Sequence, residues 1–206
     1  SRIDKSAIDL PDDVLRAIRA RFAPLRLRSV APAVVEVDSR RRQDPDFDRW
    51  VRNNVRAHAA PGHAIVNISL KEPGRIPGDA STDQMDTVAD LAERYGHDEV
   101  RVTYQQNLVL PHVARADLAP IYDALVAAGL HAANTELVTD IISCPGLDYC
   151  NLANARSIPI AQEIAKRFAA PERAEAIGPL RLNISGCINA CGHHHVAAIG
   201  ILGVDK

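Results

Sequence analysis

The sequence predicts an α+β fold in which a β-α-β-β-α-β unit is followed by a smaller, incomplete α/β unit. Two features of the chain carry this expectation. Between residues 61 and 142, short apolar strand-like runs alternate with two segments of helical period in that order. All four cysteines come later, between 144 and 191, in turns rich in Gly, Pro and Asn. A length of 206 residues allows one compact domain or two small ones.

Taken in order, Val14, Leu15, Ile18 and Phe22 recur every three to four residues and predict an amphipathic helix entered at Pro11. A short strand is expected at Val34–Val37 and a helix at Asp46–His58, within an N-terminal arm or linker spanning 1–60. Ala64–Leu70 alternates as a strand, and Pro73, Gly74, Pro77 and Gly78 then mark a loop. Ser81 or Thr82 can cap the next helix, with Met85, Val88, Leu91, Ala92 and Tyr95 as its buried stripe and Gly96 as its stop. Strands at Glu99–Thr103 and Asn107–Leu110 follow. A helix through Leu118, Ile121, Tyr122, Leu125 and Val126 then ends at Gly129, and a last strand is expected at Leu137–Ile142. This order is the ferredoxin-like arrangement, a statement of topology only, and it occupies 61–140.

The second unit, 141–206, is expected to hold a helical stretch over Leu152–Phe168 broken by Pro159, a strand at Leu180–Ser185 and another at Val196–Leu202. The chain opens at Ser1 without Met and stops at Lys206 just after an apolar run, so it reads as an excerpt of a longer one.

Composition narrows the function classes. Hydrophobic residues at 47% and charged residues at 24% suit a globular protein and not a disordered tail. Lys and Arg number 24 against 26 Asp and Glu, a net charge of −2 without long like-charge runs, so no nucleic-acid partner is expected. No apolar stretch is long enough to span a membrane, and the N-terminus lacks a signal-peptide pattern. A cytoplasmic setting with reduced thiols is therefore expected.

The cysteines form two close pairs, Cys144-x5-Cys150 and Cys187-x3-Cys191, separated by 36 residues. Four thiolates are the usual donor set of a cubane cluster, because soft sulfur matches iron held by sulfide. Four buried small hydrophobes would be the bland alternative. A four-cysteine zinc-stabilised binding module is the stronger rival, although zinc pairs favour two to four intervening residues and the x5 spacing counts against it. His193, His194 and His195 follow directly; on a strand they would alternate faces, so they are left out of the metal set.

The two cysteine pairs, Asn-Ile-Ser-Gly-Cys-Ile-Asn-Ala-Cys-Gly at 183–192, Ile-Gly-Ile-Leu-Gly at 199–203 and Glu-Val-Arg-Val-Thr-Tyr-Gln-Gln-Asn-Leu at 99–108 together resemble the sirohaem and [4Fe-4S] sulfite and nitrite reductases. The likeness covers roughly 45–206 and fits the C-terminal half of such a haemoprotein. It implies that 141–206 is a truncated sirohaem/[4Fe-4S] domain. It also implies that Cys144, Cys150, Cys187 and Cys191 ligate the cluster, that Cys191 also bridges to the sirohaem iron as the catalytic thiolate, and that Gln106 and Asn189 touch the macrocycle. Gln105 and Thr103 are weaker candidates, since polar groups at a hairpin end often just satisfy the turn.

By the same resemblance the whole enzyme reduces sulfite to sulfide by six electrons, or nitrite to ammonia in the alternative reading. Its electrons come from a ferredoxin or an NADPH-flavoprotein subunit. In that family the cations that grip the substrate anion belong mainly to the N-terminal half, so this chain alone is expected to be inactive. A simple electron carrier is disfavoured by the large upstream unit.

Overall fold

The computed structural model describes residues 9–22, 26–27, 29–30 and 35–204. Helix α1 runs over Asp12–Ala20 as the periodicity predicts, yet buries none of its residues. Where a strand was expected at Val34–Val37, helix α2 occupies Val35–Gln43; Val34 lies outside the described residues. Glu36 and Asp38 in its first turn and Arg40, Arg41 and Arg42 in its last complement the helix dipole, and two valines cannot outweigh that.

Helix α3 covers Pro45–Asn54, with Pro45 in its first turn and the Asp44 side chain accepting from the Phe47 N–H. It stops earlier than the expected His58, because Val55–Ala57 forms strand β1. The pairing Val55↔Val66 starts a ladder with β2, His63–Ile68. Helix α4, Thr82–Tyr95, opens with a full capping box between Ser81 and Gln84. Its buried stripe includes Val88, Leu91 and Ala92, but Met85 is half exposed; Gln84 is buried instead and donates to the Ala128 carbonyl.

Strand β3 shrinks to Arg101–Val102, β4 extends over Leu108–Ala114, and α5 spans Leu118–Ala127. These strands make one antiparallel sheet in the order β1-β2-β4-β3. Pro111 is tolerated inside β4 because the β2 register slips there, between Ala64 and Val66, so no ladder N–H is missed.

The expected α+β class and half domain hold, with one correction. The strand expected at Leu137–Ile142 does not join this sheet; turns occupy 135–140, and β1 fills the sheet position beside β2. Residues 35–57 of the expected arm are thus part of the half-domain body. Val37, Phe47 and Trp50 are buried in the same core as Ile68, Leu110, Ile121 and Leu125. Phe47, Trp50 and Tyr122 pack ring on ring with centroids 5.2–6.0 Å apart.

The second unit is a parallel sheet, β5-β6-β7, formed by Ile142–Ser143, Leu182–Ser185 and Ile199–Leu202. Helices α6, Ile158–Arg167, and α7, Pro171–Ile177, link β5 to β6. Pro159 starts α6 instead of interrupting a longer helix, since its missing N–H costs nothing in a first turn. Helix α7 was not expected. The stretch from Val196 is a 3-10 turn over His194–Val196 before β7 begins. Among the described residues no helix is long and apolar enough to cross a membrane.

Candidate metal centre

Both cysteine loops leave the carboxyl ends of neighbouring parallel strands, the edge where open α/β sheets place ligands. Cys144 follows β5 directly, and Cys187 follows β6 after one glycine. The loops are stitched together by backbone: the Asn154 and Ala155 N–H groups both donate to the Gly186 carbonyl at 2.8 and 3.0 Å, and the Cys144 N–H donates to the Ile184 carbonyl at 3.1 Å. The Gly186 N–H donates to the Cys144 sulfur at 3.0 Å.

This approach requires glycine. A Cβ on Gly186 would lie 2.7 Å from the Ala155 carbonyl oxygen, and one on Gly192 would collide with the Ile184 carbonyl. Gly192 is held there by its N–H on the Ser185 hydroxyl at 3.2 Å and its carbonyl on the Asn183 amide at 2.9 Å.

All four cysteines are free thiols; Cys144 and Cys187 are buried, Cys150 is half-buried and Cys191 is exposed. Cys191 is two residues before His193 and one after Ala190, and both flanking residues adopt a left-handed backbone, φ 53° and 57°. Among the described residues no three His, Cys, Asp or Glu side chains stand close enough together to hold a metal ion as placed. What the fold brings together is the two loops, not a closed cage of sulfurs. The chemistry still suits an iron-sulfur cluster: the donors are all thiols, and a backbone N–H already points at one sulfur.

The expected macrocycle contacts separate. Asn189 is exposed beside Ile188 and Cys191 on an open face. Gln106, at φ 59°, spends its side chain on the cysteine strand. Its amide nitrogen donates to the Ser143 carbonyl at 2.8 Å and its oxygen accepts from the Ser143 N–H at 3.1 Å, copying a strand pairing. Thr103 closes the hairpin, its hydroxyl accepting from the Asn107 N–H at 3.1 Å. The Gln105 carbonyl accepts from the Lys71 ammonium. The three histidines lie in a loop and a 3-10 turn, not on a strand; His194 is half-buried, and His193 and His195 are exposed.

Sequence reasoning missed Lys71 and Asp140, which form a buried ion pair at 2.9 Å, their side chains 1% and 2% exposed. Asp140 also accepts from the Asn107 amide at 2.9 Å and the Glu136 N–H at 2.9 Å. Burial pushes the Lys71 ammonium below the usual lysine range, and the Asp140 carboxylate works against that shift. Ser157 was also missed; its hydroxyl donates to the Cys144 carbonyl at 2.6 Å. Its only sequence signal is its place ahead of the α6 proline.

Residues 73–128 match the family described as the nitrite/sulfite reductase ferredoxin-like half domain, inside the unit built from β2 to α5. A ferredoxin–nitrite reductase of Synechococcus elongatus is 33% identical over 77% of this chain and 30% of its own length. A chloroplastic ferredoxin–nitrite reductase of Zea mays is 32% identical over 75% and 27%. A sulfite reductase [ferredoxin] 2 of Mycolicibacterium paratuberculosis is 33% identical over 62% and 24%. The Mycobacterium tuberculosis NirA structure superposes on 71% of this chain and 26% of its own, with a TM-score of 0.58 and 27% identity. The chain therefore spans less than a third of these relatives.

Proposed function

From the premise that this chain belongs to the nitrite and sulfite reductase family, we propose that it is the cluster-bearing part of a haemoprotein that reduces nitrite or sulfite. One observation carries the proposal: two cysteine loops converge at the carboxyl edge of a parallel sheet, directly beside the matched half domain.

In this reading Cys144, Cys150, Cys187 and Cys191 hold a [4Fe-4S] cluster, and Asn189 and Cys191 border a sirohaem on the open face. When bound, these groups supply electron storage and an iron at which an oxyanion is reduced. The chain's own work is to hold and shield. Buried Cys144 and Cys187 keep water from one side of the site. The Gly186 N–H donates to the Cys144 sulfur and fixes its place against the second loop. Cys191 is exposed, in a loop where Ala190 and His193 take left-handed backbone. Gln106, which the resemblance places against the macrocycle, also docks the half domain onto β5 through its amide.

The named relatives act on nitrite in some cases and sulfite in others, so the shared chemistry is the proposal, with a ferredoxin as the donor their names suggest. The test is reduction of nitrite and of sulfite by a haemoprotein carrying this chain, driven by reduced viologen. Turnover of at least one is expected, with Cys191→Ser lowering it about a hundredfold or more, as loss of a group acting directly at the reacting centre does. Full turnover in Cys191→Ser, or turnover by the 206-residue chain alone, would contradict it.

A further inference from the structure

The clasp of Lys71 and Asp140 joins the β3-β4 turn to the segment that enters β5 and Cys144. Lys71 follows β2 and is fixed by its N–H on the Ser69 hydroxyl and its carbonyl on the Asn134 amide. Its ammonium reaches the Gln105 carbonyl in the β3-β4 turn and the Asp140 carboxylate, two residues before β5. Asp140 holds Asn107 in that same turn, and Asn107 in turn accepts from the Leu70 N–H at 3.1 Å. Gln106 sits between the two clasped residues, and its amide pairs with Ser143, the neighbour of Cys144.

A buried ion pair is seldom the cheapest way to stabilise a core, because desolvation offsets most of the attraction; its surer product is a fixed register. Here the register it fixes is that of the turn 103–107 against 140–144. We propose that Lys71 and Asp140 are positioning residues of the metal centre: they lock Gln106 onto the Ser143 backbone and so hold Cys144 in the buried place from which it can bind a cluster. This rests on the cluster reading above only for its functional meaning; the positioning of Cys144 can be measured without any metal.

The experiment uses the metal-free chain under reducing conditions, with iodoacetamide alkylation of each cysteine followed by peptide mass spectrometry. Wild type, Lys71→Met, Asp140→Asn and the double variant are compared with Ile121→Val, a fully buried residue of the half-domain core that takes no part in the clasp. Cys144 and Cys187 start equally buried, so their ratio of rates separates local opening from general loosening. Each clasp variant should raise the Cys144 rate about tenfold or more over Cys187, as local release of a buried segment does. The double variant should recover thermal stability, since no unpaired charge remains, but keep the raised ratio. Ile121→Val should lower stability and leave the ratio unchanged.

An unchanged ratio in the clasp variants, or one restored in the double variant, would overturn the positioning role and leave the pair a matter of stability alone. In parallel, iron and sulfide loading of the wild type tests the cluster reading by itself. Failure to load with the ratio raised sinks that reading and not the clasp. Normal loading with an unchanged ratio does the reverse.

Discussion

Residue by residue, the meeting of the two cysteine turns was legible, because both pairs sit in glycine-bearing turns that can converge, and backbone hydrogen bonds do join them. Lys71 and Asp140 were not, because a buried ion pair between residues 69 positions apart leaves no periodic mark in a sequence. Lys71 fell just ahead of the glycines and prolines that mark a loop, and Asp140 inside an expected strand. Gln106 was singled out for a macrocycle contact, and its side-chain amide pairs with the Ser143 backbone. The glycines of the cysteine block carry a sharper expectation. Gly192→Ala forces a Cβ onto the Ile184 carbonyl inside β6, where backbone cannot yield. It should destabilise the chain by about 2–3 kcal/mol, the usual cost of overpacking a closed site, measured by urea unfolding; a loss under about half a kcal/mol would show that the loop does not pack on β6 this way.

At the level of elements, helices with caps and full stripes were legible: α4 by its Ser81 capping box and α5 by its leucine and isoleucine spacing. Short pieces were not. β1 continues the spacing of α3 and becomes a strand only because β2 offers it a ladder, and β5 is two residues long, set by β6. One testable property belongs to the far end of the first sheet. The Ala60 N–H donates to His58 Nδ1 at 2.8 Å, which places the proton of a neutral His58 on Nε2, and that atom donates to His112 Nδ1 at 3.0 Å. Burial lowers the His112 pKa below its ordinary value, against the pull of Glu99, with His58, Arg101 and His97 adding to the lowering. In the window from the ordinary imidazole value of about 6.5 down to the depressed value, the unfolded chain therefore binds more protons. Stability should fall as pH drops through that window and be recovered above it. Thermal melts between about pH 7.5 and 5 should show this fall, and His112→Gln should flatten it; an equal slope in the variant would remove His112 as its source.

For the whole molecule, the class and the order of the two units could be read from the chain, while the way they join could not. The junction holds many polar contacts: Arg49 pairs with Glu172 at 2.9 Å and Glu175 at 3.3 Å, Gln162 donates to the Gly74 carbonyl, and the clasp and Gln106 add to them. Such contacts are set by tertiary geometry, to which hydrophobic periodicity is blind. The join is what brings a ferredoxin-like half domain against two cysteine loops, and a single cluster at those loops is the central claim. The direct test is anaerobic reconstitution of this chain with iron and sulfide, followed by metal and acid-labile sulfide analysis and low-temperature EPR, beside Cys191→Ser. About four irons and four sulfides per chain, as a cubane requires, with an EPR signal lost or altered in Cys191→Ser, is the predicted result. Bound zinc without labile sulfide, or a cluster indifferent to all four cysteines, would contradict it.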